Sequence, residues 1–165
     1  MITLETTMGN IVLELDAEKA PKTAENFIRY VEEGFYDGTI FHRVIDGFMI
    51  QGGGFDSNMV QKPAHEEIEN EADNGLKNQA YTVAMARTMA PHSASSQFFI
   101  NVNANDFLNH SSKTMQGWGY AVFGKVVEGA DVVDRIRAVS THNVGMYENV
   151  PQEPVVIVKA TVTSK

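Results

Sequence analysis

Phe41-His42-Arg43-Val44-Ile45-Asp46-Gly47-Phe48-Met49-Ile50-Gln51-Gly52-Gly53 is the stretch on which the reading of this chain turns. Two short runs rich in β-branched and aromatic residues flank Asp46-Gly47, a pair that accepts the backbone of a tight turn. The pattern predicts two antiparallel strands joined there. Successive strand residues point to opposite faces, so Phe41, Arg43 and Ile45 share one face of the first strand. On the second, Phe48 and Ile50 face one way and Met49 and Gln51 the other, unless a bulge intervenes. An Arg among apolar neighbours is costly to bury unpaired. Either it reaches to water from an edge strand, or its guanidinium is held over an apolar pocket with Gln51 as an uncharged partner.

The elements on either side are of the same kind. Upstream, Ile2 and Leu4 alternate with Thr3 and Glu5, and Val12 to Leu15 follow after Met8-Gly9-Asn10, which predicts a hairpin. Pro21 to Glu33 places Ala24, Phe27, Ile28 and Val31 on one helical face. Pro21 suits the first turn and Gly34 the stop. Further strands are predicted over Thr39 to Ile45, Phe48 to Gln51, Tyr81 to Ala86, Gln97 to Val102, Ala121 to Val127 and Val155 to Thr163. A second helix fits Asp131 to Val139, with Asp131 as N-cap. The polar segment from Asp56 to Gln79 is long for a loop, so it is functional or packs on itself. Gly52-Gly53-Gly54 lacks the spacing and the βαβ setting of a phosphate cradle and reads as a bend where backbones approach closely. Many short strands with two helices predict a β-barrel or sandwich whose ends the helices cover, in one domain spanning residues 1–165.

Composition narrows the function classes. The 165 residues carry a net charge of -8, which disfavours nucleic acid as a partner. There is no cysteine, so thiol nucleophiles, disulfides and thiolate metal sites are excluded. The five histidines, His42, His65, His92, His110 and His142, never stand at helical ligand spacing, and no carboxylate loop has calcium spacing. Ser93, Ser95 and Ser96 beside His92 lack a nucleophile elbow and read as a polar turn. No apolar run is long enough for a membrane span and no signal peptide is visible, which makes the cytoplasm the expected compartment. Asn109-His110-Ser111 is a chance sequon in that setting.

A second apolar theme appears in Ala84-Met85-Ala86-Arg87 and Gln97-Phe98-Phe99-Ile100-Asn101. Together with Phe41 to Gly53 and Tyr120-Ala121-Val122-Phe123-Gly124-Lys125-Val126, these segments resemble the cyclophilin signature. Lys19 to Phe27 resembles that family's first helix. The likeness runs in order along nearly the whole chain. Ala90 to Ala94 and Gln116 to Tyr120 are similar to the single-domain cytosolic bacterial branch.

The resemblance implies a closed eight-stranded antiparallel barrel capped by two helices, with its site on the outer face. It implies peptidyl-prolyl cis/trans isomerisation without metal or cofactor. Arg43 would be catalytic, with Gln51 supporting it and binding a substrate backbone group. Phe48, Met49, Phe99 and Leu108 would hold the proline ring. Ala86, Arg87 and Gln97 would line the peptide groove, Arg87 through its backbone. Phe107 stands where many members carry Trp, and Tyr120 where many carry His; the segment Asn109 to Trp118 is longer than usual. In the family that Trp is associated with strong cyclosporin binding, so weak cyclosporin binding is expected here. The implied partners are proline-containing peptides and folding proteins, bound by a monomer, without nucleic acid or membrane. The rival classes are a barrel that grips proline segments without useful catalysis and an acidic barrel carrying a small ligand, for which no polar cluster speaks.

Overall fold

The computed structural model describes residues 1–163. Eleven strands and two α-helices follow in the order β1 (Ile2–Thr6), β2 (Gly9–Leu15), α1 (Pro21–Glu32), β3 (Thr39–Ile40), β4 (Arg43–Ile45), β5 (Met49–Gly52), β6 (Thr82–Met85), β7 (Phe98–Asn101), β8 (Val122–Glu128), α2 (Ala130–Arg137), β9 (Thr141–Val144), β10 (Tyr147–Pro151) and β11 (Val156–Val162). Nine strands form one antiparallel sheet in the order β3-β11-β1-β2-β8-β6-β7-β5-β4, and β9 and β10 form a separate hairpin.

The two ends of that sheet, β3 and β4, are consecutive in the chain and only Phe41 and His42 lie between them. The sheet therefore curls back on itself until its edges meet. The expected closed eight-stranded barrel is corrected in this detail. There are nine strands, and the ring is completed by covalent chain at Phe41-His42, not by a ladder between β3 and β4. The predicted single strand from Thr39 to Ile45 breaks there because Phe41 turns into the core, where it is fully buried. Its amide donates to Val155 O at 3.0 Å, on β11's approach.

Both helices bury their apolar faces inside the curl. Phe27, Tyr30 and Val31 of α1 join Val132, Val133 and Ile136 of α2 and the inward strand residues Leu4, Leu13, Val44, Ile50, Val83, Phe98, Ile100 and Phe123 in one core. Phe27 sits at its centre, with ring centroids 5.2 Å from Phe98 and 5.2 Å from Phe123. Burying such a side chain contributes roughly 2–3 kcal/mol.

Several local expectations shift. The first hairpin turns at Thr7-Met8, with Thr6 opposite Gly9, so Gly9 and Asn10 already belong to β2. Helix α2 is capped by Gly129 at φ 90°, and Asp131 lies inside its first turn. A β-carbon at Gly129 would run into Asn10 O, so the bare backbone is needed where α2 meets β2. Helix α1 has no local side-chain cap. Instead the Glu71 carboxylate accepts from Thr23 N at 2.7 Å and Thr23 Oγ1 at 2.6 Å. The long polar segment thus packs back on the body of the molecule. The β9–β10 hairpin was not anticipated at all.

Candidate active site

The site is written in the register of the sheet. Arg43 on β4 pairs with Gln51 on β5, Gln51 with Phe99 on β7, Phe99 with Ala84 on β6, and Ala84 with Val122 on β8. One transverse row thus crosses five strands. Because side chains alternate, the neighbouring row Val44, Ile50, Ile100 and Val83 faces the core, and the Arg43 row faces outward. Ladder pairing brings together residues far apart in sequence and fixes their spacing.

On this outer face a second apolar cluster forms, separate from the core. Met49, Ala84, Phe99, Leu108 and Val122 are buried in it, with Ile45, Phe48, Leu76, Ala86 and Tyr120 packed against them. Above it opens a cavity of about 130 Å³ lined by Arg43, Phe48, Met49, Gln51, Ala86, Arg87, Phe99, Leu108 and Tyr120. Pockets for drug-sized ligands run to roughly 300–1,000 Å³. This one suits a single small apolar ring.

Nine of the eleven residues expected at the site line this cavity. Gln97 stands one step behind, accepting from Gln51 Nε2 at 3.0 Å. Gly54 makes room for it, since a β-carbon there would meet the Gln97 side chain at 2.5 Å. Phe107 does not line the cavity. It is 75% exposed on the rim, its ring 5.6 Å from that of Phe48. Phe41 does not share Arg43's face, because the break at Phe41-His42 turns it inward. Phe48 and Met49, expected on opposite faces, both reach the site. Phe48 precedes β5 and is not bound by its alternation.

Arg43 is exposed and its Nη1 donates to Gln51 Oε1 at 3.4 Å. Among the described residues no carboxylate forms an ion pair with it. Gln51 in turn is tied to Gln97, so an uncharged relay orients the guanidinium without neutralising it. The adjacent His42 is buried, and desolvation together with the Arg43 charge lowers its pKa to about 4. Near neutral pH the imidazole is uncharged and does not repel the guanidinium. Arg87 is differently placed. Its Nε donates to Gly119 O at 2.9 Å and its guanidinium lies 4.5 Å from the Tyr120 ring centroid. The Arg87 side chain thus braces the far wall.

Sequence reasoning missed the asparagines beneath the site. Asn105 Nδ2 donates to Phe48 O and to Asn101 Oδ1, each at 2.8 Å. Asn101 Nδ2 donates to Asn78 Oδ1 at 3.0 Å, and Asn78 Nδ2 to Leu108 O at 3.2 Å. All three are buried. They clamp the backbone of two cavity walls together. The available signal was Asn101 closing the apolar run Phe98-Phe99-Ile100, a polar residue where a strand is otherwise buried.

Among the described residues no group of three His, Asp or Glu is arranged to hold a metal ion. No helix among them is long and apolar enough to cross a membrane.

Comparison with known proteins agrees along the full length. The family model for cyclophilin type peptidyl-prolyl cis-trans isomerases matches residues 1–162. The chain is 58% identical over 163 residues to peptidyl-prolyl cis-trans isomerase B of Escherichia coli (strain K12), covering 99% of each protein. It is 62% identical over 161 residues to peptidyl-prolyl cis-trans isomerase cyp18 of Streptomyces antibioticus, covering 98% of this chain and 97% of that one. In structure it is similar to a cyclophilin type peptidyl-prolyl cis-trans isomerase of Cryptosporidium parvum crystallised in the presence of the dipeptide Ala-Pro. The TM-score is 0.84 at 26% identity, over 99% of both chains.

Proposed function

The chain belongs to the cyclophilin type peptidyl-prolyl cis-trans isomerases and accelerates rotation about X-Pro bonds, and we propose that Arg43 does this by electrostatic stabilisation over the apolar cavity. The observation that carries the mechanism is the Arg43 guanidinium at the rim of a cavity sized for one proline ring, held by Gln51 and without an ion-pair partner among the described residues, whereas Arg87 is bound to backbone carbonyls. An X-Pro bond turns slowly because resonance gives C–N partial double-bond character, with a barrier of ~18–20 kcal/mol. At the twisted geometry the prolyl nitrogen is pyramidal and its lone pair is freed. Arg43 donates to that lone pair while Phe48, Met49, Phe99 and Leu108 hold the ring. Gln51 keeps the guanidinium in place and binds a substrate backbone group, with Gln97 behind it. Ala86, Arg87 and Tyr120 border the path of the peptide.

Magnitudes apportion the work. An acceleration of about 10⁵ needs roughly 7 kcal/mol. A charged hydrogen bond contributes ~1.5–3 kcal/mol. Arg43 supplies less than half, and the remainder comes from excluding water around the polarised amide and from fitting the twisted conformer better than the planar one.

No bond is made or broken, so the chemistry calls for no nucleophile, general base or metal. Turnover of a proline tetrapeptide in a protease-coupled assay is expected to be unchanged by excess EDTA. Loss of activity that a specific divalent ion restores would contradict this reading. Absence of any turnover would instead favour a barrel that only grips proline segments. We read its clients as proline-containing peptides and folding proteins, met by a cytoplasmic monomer that assists folding.

Cyclosporin is expected to inhibit weakly, and Phe107→Trp to improve inhibition. Phe107 stacks on Phe48 at the rim and is open to a bound ligand. It provides an aromatic wall without a donor. An indole N–H adds a hydrogen bond of about 0.5–1.5 kcal/mol and further buried area at ~25 cal/mol per Å². The inhibition constant should fall about tenfold, since ~1.4 kcal/mol is tenfold. Peptide turnover should change little. Equal inhibition constants for the two proteins would place residue 107 outside the drug's reach.

A further inference from the structure

A second cavity, of about 240 Å³, adjoins the first and shares Arg43 with it. Its other walls are His42 and the hairpin residues Met146, Tyr147, Glu148 and Asn149. We propose that this groove is a substrate subsite that receives the polypeptide on one side of the proline, and that Glu148 makes it favour a basic residue there. The inference rests on the isomerase mechanism above and extends it to sequence selection.

Four observations carry it. A protein substrate continues in both directions from its proline, and the groove is the cavity that meets the proline pocket at the catalytic cation. Its wall is held in place: the Tyr147 ring lies 5.1 Å from Phe55, and Phe55 lies 4.4 Å from the His42 ring. The β9–β10 pairing is irregular between Tyr147 and Val150, and Asn149 takes φ 61°. Such irregularities re-aim side chains next to functional sites. Finally, Glu148 is exposed and has no ion-pair partner among the described residues, although Arg43 lines the same cavity.

The groove is therefore positive at the proline end, where Arg43 stands, and negative at the hairpin, where Glu148 stands. A peptide whose proline sits beneath Arg43 satisfies the far end with a cationic side chain toward Glu148. Met146, 87% exposed at the hairpin tip, offers a flexible apolar surface to the stem of a Lys or Arg.

The test measures isomerisation by exchange NMR on proline peptides carrying Lys, Ala or Glu at each of the two positions on either side of proline. In the wild type, turnover with Lys should exceed turnover with Glu about three- to tenfold at one of these positions, the scale of an exposed charge pair and its like-charge reverse. Glu148→Lys should invert that ratio. Glu153→Lys makes the same change in net charge at an exposed site away from the groove, and should leave the ratio as it was. A Lys-to-Glu ratio that Glu148→Lys leaves unchanged at all four positions overturns the proposal. So does an equal shift from Glu153→Lys, which would assign the preference to the protein's overall negative charge. Failure to turn over the Ala peptide would refute the isomerase mechanism itself, and is thereby told apart from failure of the subsite alone.

Discussion

Replacing Arg43 with alanine should lower kcat/KM for a proline tetrapeptide by at least about 100-fold while leaving the folded state intact. The expected loss corresponds to roughly 3 kcal/mol of transition-state stabilisation, the upper end for one charged hydrogen bond. The fold should tolerate the change because Arg43 is exposed and, among the described residues, its side chain makes one hydrogen bond, at 3.4 Å to Gln51. The apolar cluster around Met49, Phe99 and Leu108 does not depend on it. Peptide affinity should fall much less than kcat, since the ring contacts remain and the donated bond forms only as the lone pair is freed. Arg43→Lys separates charge from geometry. A lysine restores the cation but not the planar fork that Gln51 orients, so it should recover only part of the loss. Near-wild-type turnover by a well-folded Arg43→Ala protein would remove electrostatic stabilisation from the mechanism and leave binding of the twisted conformer to do all of it.

What could be read from the sequence depended on whether the cause was local. The α1 face was legible because Ala24, Phe27 and Val31 follow helical spacing and are buried together. Strands β5 and β7 were legible because short apolar runs end at glycine or polar residues. The cap of α1 was not, since Glu71 reaches Thr23 across 48 residues and nothing near position 20 announces it. The hairpin of β9 and β10 escaped because most of Thr141 to Glu148 is exposed and its strands carry no apolar period to detect. The break at Phe41-His42 depends on tertiary burial of Phe41, so alternation alone assigned it to the wrong face. The site residues themselves came from the family resemblance as a set. No spacing rule predicts that Arg43, Gln51, Phe99, Ala84 and Val122 form one row, because that row exists only once five strands are in register. Phe107 marks the limit of the transfer: the residue aligns with the pocket, yet the chain carries it to the rim.

Asn78→Ala should lower the melting temperature by about 6–12 °C and weaken substrate binding, although Asn78 does not itself line the cavity. Asn78 is fully buried. Its Nδ2 donates to Leu108 O at 3.2 Å and to Asn109 Oδ1 at 3.1 Å, and its Oδ1 accepts from Asn101 Nδ2 at 3.0 Å. Its backbone bonds to Asn109 Oδ1 and from Asn105 N survive the substitution. What is lost is the side-chain bridge between β7 and the Leu108 wall. Asn101 Nδ2 keeps Thr82 Oγ1 at 3.0 Å and Leu108 O keeps Tyr120 N at 2.9 Å, so neither group is wholly orphaned. A partly satisfied buried network still costs ~1–3 kcal/mol, and the void left by the amide adds to it. A total of about 3 kcal/mol, at roughly 2–4 °C per kcal/mol for a chain of this size, gives the stated shift. The loosened wall carries Leu108 and Phe107, so KM should rise severalfold while kcat, which the proposed mechanism assigns to Arg43, changes less. Thermal unfolding followed by circular dichroism, with turnover measured well below both melting points, checks the two parts separately. A melting temperature within about 2 °C of the wild type would mean that the network is slack and does not hold the wall. A drop in kcat as large as the rise in KM would mean that the network also positions Arg43, by way of Phe48 O and the β4–β5 turn.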